Sequence, residues 1–258
     1  MDERVLSDDL AFALHLADVA AEITMTRFGS RMPVELKEDA TPVTAVDLAA
    51  ERAIRKAVAA TFPNDAVRGE EEGLDDGSSG RVWVVDPVDG TKLFAEGIPL
   101  WTTLIALREG DRTVVGIADA PALGGRYSAT KGGGAWKGDR RIEVSGIGSL
   151  GDAFVAHSAL EEWIAGGREG ALRRIVTTAR RTRGLSDAWG HLLVAQGSVD
   201  ALVEHEPCYE WDWAATGLIV EEAGGRLSTF AGDAPTPGQN LVVSNGFVHD
   251  EVLAALND

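Results

Sequence analysis

Apolar residues in the N-terminal part of the chain recur with a helical period. They stand three or four positions apart at Leu10, Leu14, Ala17, Ala21 and Met25. This spacing predicts an amphipathic helix over residues 8–28, with Gly29 at its end. A second helix is predicted from an N-cap at Thr44 to Phe62, because Pro63 follows and breaks the pattern.

The middle of the chain changes to short apolar runs that are typical of strands. Residues 82–85 are β-branched or aromatic, which predicts a strand buried on both faces. The run stops at Asp86, and Pro87 is expected to keep the strand from continuing in a ladder. Further strands are predicted at 100–107 and 113–118 as a hairpin, and over 127–144 with a turn at 131–134.

The last part of the chain alternates between predicted strands and helices. The strands are 154–157, 199–203 and 241–244, and the helices are 170–181, a segment capped by Ser186 that runs to Gln196, 212–224 and 250–256. Two helices and consecutive strands are thus followed by a part in which the two element types alternate.

Length, composition and charge narrow the classes of protein. A chain of 258 residues with 45% hydrophobic residues can form one large domain or two modest ones. Its formal net charge of −17 argues against nucleic acid or an anionic membrane as a partner. A single cysteine, Cys208, excludes a disulfide within the chain and fits a reducing cytoplasm. The acidic start at Met1-Asp2-Glu3 is unlike a signal peptide, and no apolar run reaches membrane-spanning length, so we expect a cytoplasmic protein.

The run after the central strand is the first candidate for chemistry. Asp86 and Asp89 place two carboxylates at the end of a rigid element, and Gly90 and Thr91 follow them. Two acids held close together repel each other, so their burial favours a cation between them, and Mg²⁺ takes oxygen ligands of this kind. Backbone N–H groups at Gly90 and Thr91 suit a phosphate. The pattern indicates a Mg²⁺-dependent phosphoryl-transfer site.

The same run has other interpretations. Asp-Pro-x-Asp-Gly is also ordinary turn chemistry. A calcium loop of the EF-hand type requires acids at every second position and a closing Glu, which Leu93 and Phe94 contradict. Haloacid dehalogenase-type phosphatases carry D-x-D-G-T with one residue between the acids, whereas two residues separate Asp86 from Asp89.

Three further acids have both a local and a chemical interpretation. Asp47 stands three residues after Thr44, which is a capping-box position. Glu70 opens an acidic run after a short predicted strand, and Asp212 stands at the head of a helix, where an aspartate N-cap is common. Taken alone, each acid is a cap or a solvated loop residue; as a set, they are candidate ligands of a shared metal site.

Four segments, in order, resemble the motifs of the inositol monophosphatase superfamily of Mg²⁺-dependent phosphatases. They are V-T-A-V-D at 43–47, G-E-E at 69–71, W-V-V-D-P-V-D-G-T-K at 83–92, and W-D-W-A-A with E-E-A-G-G between 211 and 225. Each motif alone is weak, but four in this order are specific. Within the superfamily, D-G-T-K, G-I-P-L-W-T-T-L-I-A-L at 97–107 and A-P-A-L at 120–123 are most similar to the histidinol-phosphate phosphatase branch.

The resemblance implies an α/β fold with α+β layers, an α-β-α-β-α sandwich of the inositol monophosphatase and fructose bisphosphatase type. One phosphatase domain would span residues 1–258, with an N-terminal α+β half over about 1–150 and a C-terminal α/β half over about 151–258. The site would lie between the halves, and a homodimer is the usual arrangement of the family.

The resemblance also implies roles for individual residues. Glu70, Asp86 and the Val88 carbonyl would bind one Mg²⁺, and Asp86, Asp89 and Asp212 a second, with Glu70 sharing a third, weaker ion. Glu70 and the Thr91 hydroxyl, with Asp47 behind it, would orient the attacking water. The residues implied to hold the phosphate are Asp89, Gly90 and Thr91. The candidates for contact with the alcohol part of the substrate are Arg183, Asp187, Trp189, Glu204 and Asp212.

The implied function is hydrolysis of a small phosphorylated metabolite, histidinol phosphate, to histidinol and phosphate. The amine and imidazole of that substrate suit acids at Asp187 and at either Glu204 or Glu206. Alternative substrates are inositol 1-phosphate, a nucleotide bisphosphate and fructose bisphosphate, and the non-enzymatic alternative is a metal-binding regulatory protein. Trp189 is equally compatible with core packing, and the sequence favours a structural interpretation of His191 and His205.

Overall fold

The computed structural model describes residues 3–30, 35–36, 42–185 and 187–258. Its first elements are helix α1 (Glu3–Arg27), the short antiparallel strands β1 (Glu35–Leu36) and β2 (Pro42–Val43), and helix α2 (Ala45–Thr61). The predicted N-cap of α2 is confirmed, because the Thr44 hydroxyl accepts the N–H of Val46 at 3.2 Å. The other predicted cap, Ser186, lies outside the described residues.

An eight-stranded sheet follows in the chain. Its strands are β3 (Ala66–Gly69), β4 (Gly73–Asp75), β5 (Arg81–Asp89), β6 (Thr102–Glu109), β7 (Arg112–Ala120), β8 (Gly125–Thr130), β9 (Gly134–Lys137) and β10 (Arg140–Ile142), with the short helix α3 (Thr91–Ala95) between β5 and β6. The spatial order is β10-β9-β8-β7-β6-β5-β3-β4. Neighbouring strands are antiparallel except β3 and β5, which run parallel.

A five-stranded mixed sheet and its helices complete the chain. The elements in order are β11 (Phe154–His157), α4 (Leu160–Ala165), α5 (Glu169–Thr178), β12 (Arg181–Gly184), α6 (Asp187–Ala195), β13 (Ala201–Cys208), α7 (Glu210–Glu222), β14 (Arg226–Ser228), β15 (Gln239–Ser244) and α8 (His249–Asn257). The spatial order is β12-β11-β13-β15-β14. The strand β11 is parallel to both of its neighbours, and β15 is antiparallel to both of its own.

Three hydrophobic clusters join these elements into layers. Helices α1 and α2 cover one face of the first sheet, α6 and α7 lie between the sheets, and α5 and α8 cover the outer face of the second. Representative buried residues are Leu16, Ile54 and Trp83 in the first space, Val84, Leu192, Leu202 and Leu218 in the second, and Ile175, Val203 and Val252 in the third. The expected α-β-α-β-α sandwich is thereby confirmed. Within the described ranges, no helix combines the length and apolarity needed to cross a membrane.

The central strand continues further than the sequence predicts. Strand β5 extends to Asp89, and its pairing with β6 shifts register between Asp86 and Asp89. The shift places an extra residue on β5, which is a bulge, and Pro87 falls inside it where no ladder N–H is required. Thr103 donates its hydroxyl hydrogen to the Pro87 carbonyl at 2.8 Å. The expectation that Pro87 ends the strand is therefore wrong.

Two other predicted elements need correction, and one helix was not predicted. The helix predicted over 170–181 ends at Thr178, and Arg181 instead opens the edge strand β12. The strand predicted at 199–203 continues to Cys208, which brings two further acids into the sheet. Helix α4 was not predicted. For β12 and β13 the local pattern was short, and pairing with strands distant in the chain decided the outcome.

The glycine at position 116 sets the distance between α7 and the first sheet. A Cβ atom there would lie 2.6 Å from the carbonyl oxygen of Ala215. We expect Gly116→Ala to push α7 outwards and to lower the free energy of unfolding by about 1–3 kcal/mol in urea denaturation. Gly146→Ala is the matched control, since its Cβ would meet nothing within 4 Å. Equal stability of the two variants would contradict this packing.

Candidate active site

Separate segments bring their acids to one edge of the first sheet. Because β3 and β5 are parallel neighbours, with Gly69 opposite Val85, the residues that follow them lie side by side. The N–H of Glu70 donates to the Val85 carbonyl at 3.1 Å, which places Glu70 beside Asp86. Helix α7 brings Asp212 to the same place. Carboxylate oxygens of Asp86, Asp89 and Asp212 all lie within 4.8 Å of one another.

These carboxylates line a cavity of about 460 Å³ that contains two clusters of acids. The set Asp86, Asp89 and Asp212 is called the strand-end acids below. The second set, called the recognition acids, comprises Asp187, Glu204 and Glu206, whose oxygens also lie within 4.8 Å of one another. Among the described residues that line the cavity, eight are acidic and one is a lysine.

The charge of the strand-end acids is strongly disfavoured by their surroundings. Burial raises the pKa of Asp86 well above its usual range, and repulsion from Glu70 adds to this. Burial also raises the pKa of Asp89, followed by repulsion from Asp187. For Asp212 burial again raises the pKa, partly offset by a hydrogen bond from the Tyr209 backbone. A set of crowded, purely oxygen donors fits a hard divalent cation.

The turn after β5 presents backbone groups and a hydroxyl to the same cavity. Just before it, Asp86 Oδ1 accepts the N–H of Val88 at 2.9 Å within the bulge of β5. Gly90 has φ +83°, and a Cβ there would lie 3.1 Å from the Leu100 carbonyl, so the position requires glycine. The Thr91 hydroxyl lies 3.0 Å from the Val88 carbonyl oxygen and 3.3 Å from Asp47 Oδ1.

Asp47 completes the cap of α2 and also contacts Thr91 at the candidate site. Its Oδ2 accepts the N–H of Thr44 at 3.1 Å and also contacts the Thr44 hydroxyl, so it completes the capping box of α2. Its other oxygen, Oδ1, faces Thr91. Burial raises the pKa of Asp47, and its hydrogen bonds to Thr44 act in the opposite direction. The cap therefore orients a carboxylate towards the candidate site.

The position of Asp212 differs in detail from the prediction. It is the third residue of α7 and not the N-cap, which is Tyr209. Its Oδ2 accepts the N–H of Tyr209 at 2.6 Å. The head of the helix is held by Glu210, which accepts a hydrogen bond from Arg68 at 2.7 Å and pairs with Arg108. Sequence reasoning missed Glu210, because its partners lie on strands far away in the chain.

Glu51 is a second residue that sequence reasoning missed. Its buried carboxylate accepts the N–H groups of Glu71 at 2.8 Å and of Glu72 at 3.0 Å, and it pairs with Arg55 at 2.7 Å. Glu51 thus holds the backbone of the loop that begins with Glu70. A Cβ at Gly69 would lie 2.2 Å from this carboxylate, which explains the glycine. The available signal was the four-residue spacing from Asp47, which places both acids on one face of α2.

The recognition acids come from α6 and β13. Asp187 has φ +57° and opens α6, where the next N–H, that of Ala188, donates to Asp89 Oδ2 at 3.0 Å. An aspartate tolerates this left-handed backbone better than most residues. Glu204 and Glu206 both line the cavity, so the choice that the sequence left open between them is not exclusive.

Two predicted contact residues do not line the cavity. Trp189 stands two positions after Asp187, about 200° around the helix, and packs against Tyr127 with ring centroids 6.5 Å apart. Arg183 lies exposed on the edge strand β12, where it donates to the Thr182 carbonyl at 2.8 Å. Conversely, His191 lies one turn after Asp187 and does line the cavity.

Comparison with known proteins adds family information to this geometry. The model of the inositol monophosphatase family matches residues 6–258. The histidinol-phosphatase of Streptomyces coelicolor is 44% identical over 97% of this chain and 97% of that protein. The histidinol-phosphatase of Mycobacterium tuberculosis is 41% identical over 97% of this chain and 98% of that protein. Among solved structures, the IMPase of Thermotoga maritima matches with a TM-score of 0.88 and 32% identity over 97% of both chains.

Proposed function

The chain belongs to the inositol monophosphatase family and is a phosphatase, and from this premise we propose that it hydrolyses histidinol phosphate to histidinol and phosphate. The observation that carries the choice of substrate is the second cluster of acids in the cavity. Asp187, Glu204 and Glu206 line the same cavity as the strand-end acids and suit a cationic alcohol. The names of the two relatives given above support the same choice.

The strand-end acids fit the metal dependence of the family, and we propose Mg²⁺ as the metal. Asp86, Asp89 and Asp212, with Glu70 and the Val88 carbonyl, would hold two or three ions. When bound, the ions supply electrostatic stabilisation of the phosphate and of the leaving alkoxide. Oxygen donors without sulfur or imidazole favour Mg²⁺ over softer metals.

The remaining chemistry is assigned to residues of the chain itself. Glu70 accepts a proton from the attacking water, and the Thr91 hydroxyl orients that water, with Asp47 as the partner of the hydroxyl. The backbone N–H groups of Gly90 and Thr91 donate to the phosphate, and Asp89, whose carboxylate only accepts, would contribute to phosphate binding through a bound cation. Asp212 is repelled by Glu70, Glu204 and Asp187, so it lies near acids of both sets, and we assign it a contact with the alcohol.

A panel of phosphate esters tests the proposal. Phosphate release is measured with and without Mg²⁺ for histidinol phosphate, inositol 1-phosphate, a nucleotide bisphosphate and fructose 1,6-bisphosphate. We expect histidinol phosphate to give the highest kcat/KM, and only with Mg²⁺. Faster turnover of inositol 1-phosphate would contradict the choice of histidinol phosphate and favour an inositol-phosphate phosphatase. Absence of release from every ester would contradict an enzymatic role.

Ionisation of Glu206 is expected to make the binding of histidinol phosphate depend on pH. Burial, with added repulsion from Glu204, raises the pKa of Glu206 to about 8. Below that pH its carboxyl is neutral, and above it the negative charge attracts a cation. We therefore expect KM for histidinol phosphate to fall about fivefold between pH 7 and pH 8.5, the equivalent of ~1 kcal/mol for a partly exposed ion pair.

Glu206→Gln is the control for this pH effect, because the amide cannot ionise. Its KM is expected to be high and flat over the same range. Saturating Mg²⁺ is kept throughout, so that metal binding does not contribute to the profile. Identical profiles of wild type and variant would contradict the assignment.

We also propose that residues 1–258 form one phosphatase domain that assembles as a homodimer in the cytoplasm. The shared cluster of α6 and α7 with both sheets supports a single domain over the described ranges. The homodimer rests on the family resemblance, and the compartment on cysteine usage. Light scattering should give about twice the chain mass of 27.3 kDa. A mass of one chain would exclude the dimer.

A further inference from the structure

We propose that His191 is a positioning residue that holds Glu204 for the cationic part of the substrate. The inference rests on the proposed function, since it concerns how the recognition acids bind a cation. It assigns a role to a histidine that the sequence suggested to be structural. The supporting observations are a chain of hydrogen bonds and the exposure of one end of this chain to the cavity.

The imidazole of His191 is buried between two polar partners. Its Nε2 lies 2.8 Å from Glu204 Oε2, and its Nδ1 lies 2.7 Å from the Thr216 hydroxyl. His191 is 1% exposed and Glu204 is 2% exposed, so neither hydrogen bond competes with bulk water. Both residues nevertheless line the cavity.

The direction of the key hydrogen bond follows from the partners. A carboxylate only accepts, so His191 Nε2 carries the proton and donates it to Glu204. The Thr216 hydroxyl also lies 3.2 Å from the Asp212 carbonyl oxygen. If it donates there, Nδ1 is protonated as well and the ring is cationic; if it donates to Nδ1, the ring is neutral. In both arrangements Glu204 Oε2 is held by the Nε2–H.

The other oxygen of Glu204 remains available for a ligand. The Cys208 thiol also approaches Oε2, with a sulfur–oxygen distance of 3.9 Å, but its single hydrogen has a nearer acceptor in the Glu206 carbonyl at 3.6 Å. Burial raises the pKa of Cys208 well above its usual range, so the group stays a thiol and a donor. Within the described part of the chain, the hydrogen bonds of Glu204 thus converge on Oε2 and leave Oε1 free of them.

Glu204 needs such a support because its neighbours are acidic. Asp187 and Glu206 each place a carboxylate oxygen within 4.8 Å of one of its own. Without a donor, mutual repulsion would turn the carboxylate away or favour its protonation. Thr216 belongs to α7, one turn after Asp212, so the same helix supports the His191 ring and supplies a strand-end acid. Displacement of a substrate-orienting group by about 1 Å can lower the reaction rate about a hundredfold.

Two variants separate this role from packing. Gln at position 191 can place its amide N–H₂ where Nε2 lies, whereas Asn reaches only the Nδ1 position. We expect His191→Asn to raise KM for histidinol phosphate about tenfold, with kcat changed less than about threefold, because one charge-assisted contact is lost. His191→Gln should stay within about threefold of wild type for both constants.

A neutral substrate provides the internal control. The KM for glycerol 2-phosphate, which has no cationic group, should be the same in His191→Asn and wild type. Calorimetric titration with histidinol, which lacks the phosphate, should show an affinity loss equal to the rise in KM. Glu204→Gln should reproduce this selective defect, and the double variant should add little to either single change.

The outcomes distinguish the inference from its premise. An equal rise in KM for histidinol phosphate and glycerol 2-phosphate in His191→Asn would overturn the positioning role. Equal KM values of His191→Asn and His191→Gln for histidinol phosphate would overturn it as well. A wild-type preference for histidinol phosphate that survives in His191→Asn would also overturn it and leave the proposed function intact. A wild-type protein without that preference would overturn the proposed function together with this role. If His191→Asn does not fold, Glu204→Gln and its effect on the two esters decide the question.

Discussion

Replacement of Asp86 by Asn is expected to lower kcat at saturating Mg²⁺ by about three orders of magnitude or more. Asp86 is 2% exposed and belongs to the strand-end acids, where its oxygens lie within 4.8 Å of oxygens of Asp89 and Asp212. The amide preserves shape but halves the number of oxygen donors and removes the charge. Phosphate release from histidinol phosphate gives the measurement.

The same substitution is expected to stabilise the protein when metal is removed. Burial and repulsion from Glu70 both penalise the charge of Asp86, and the amide avoids both costs. In a chelator the melting temperature of Asp86→Asn should exceed that of wild type by roughly 2–8 °C, which corresponds to about 1–2 kcal/mol for a chain of this size. Addition of Mg²⁺ should raise the melting temperature of wild type far more than that of the variant.

Asp76→Asn is the control for charge alone, since Asp76 lies exposed in the loop before β5. It changes the net charge equally and should alter neither activity nor the response to Mg²⁺. Near-normal turnover by Asp86→Asn would contradict the proposed metal site. A lower melting temperature of that variant in chelator would contradict the electrostatic interpretation of the strand-end acids.

Replacement of Thr91 by Val should lower kcat by about 10²–10³-fold while leaving the fold intact. Valine has the same shape, so the loss isolates the hydroxyl that lies 3.0 Å from the Val88 carbonyl and 3.3 Å from Asp47. Because Thr91 is proposed to orient the attacking water, kcat should fall much more than substrate affinity. Steady-state kinetics at fixed, saturating Mg²⁺ separates the two.

Serine at position 91 retains the hydroxyl and supplies the matched comparison. Thr91→Ser should keep kcat within about tenfold of wild type, the remaining loss coming from the freer rotation of the side chain. The kcat of Asp47→Asn should lie between those of Thr91→Ser and Thr91→Val. The amide oxygen can still accept a hydrogen bond from Thr44, but the partner of the Thr91 hydroxyl has changed. Equal activity of the Ser and Val variants would show that the hydroxyl has no role in the reaction.

Local signals in the sequence predicted the helices and strands more accurately than they predicted which residues would be in contact. The Thr44 cap and the both-sides-buried strand at 82–85 depend on nearest neighbours, and both were predicted correctly. The order of four acidic motifs predicted that distant acids meet, and the parallel pairing of β3 with β5 is the physical reason that Glu70 lies beside Asp86. Neither residue alone carried that information.

The supporting residues were not predictable in the same way. Glu51 holds residues 20 and 21 positions away, and Arg68 contacts Glu210 across 142 positions. Such partners depend on how helices dock on the sheet and not on periodicity. Trp189 was misplaced for a related reason: the facing of a short helix depends on its first residue, and Asp187 opens α6 with a left-handed backbone.

The two clusters of acids in the cavity are held by largely different residues, and this has an evolutionary consequence. On α2, Glu51 holds the loop that begins with Glu70, and Asp47 contacts Thr91. On α6, His191 contacts Glu204 in the second cluster of acids. Under the proposed roles, substitutions in 187–206 would change the contacts with the alcohol and leave the proposed catalytic residues unchanged, as long as the Ala188 N–H still meets Asp89. Under the same roles, α7 would be the helix least free to diverge, because it carries both Asp212 and the Thr216 that contacts His191.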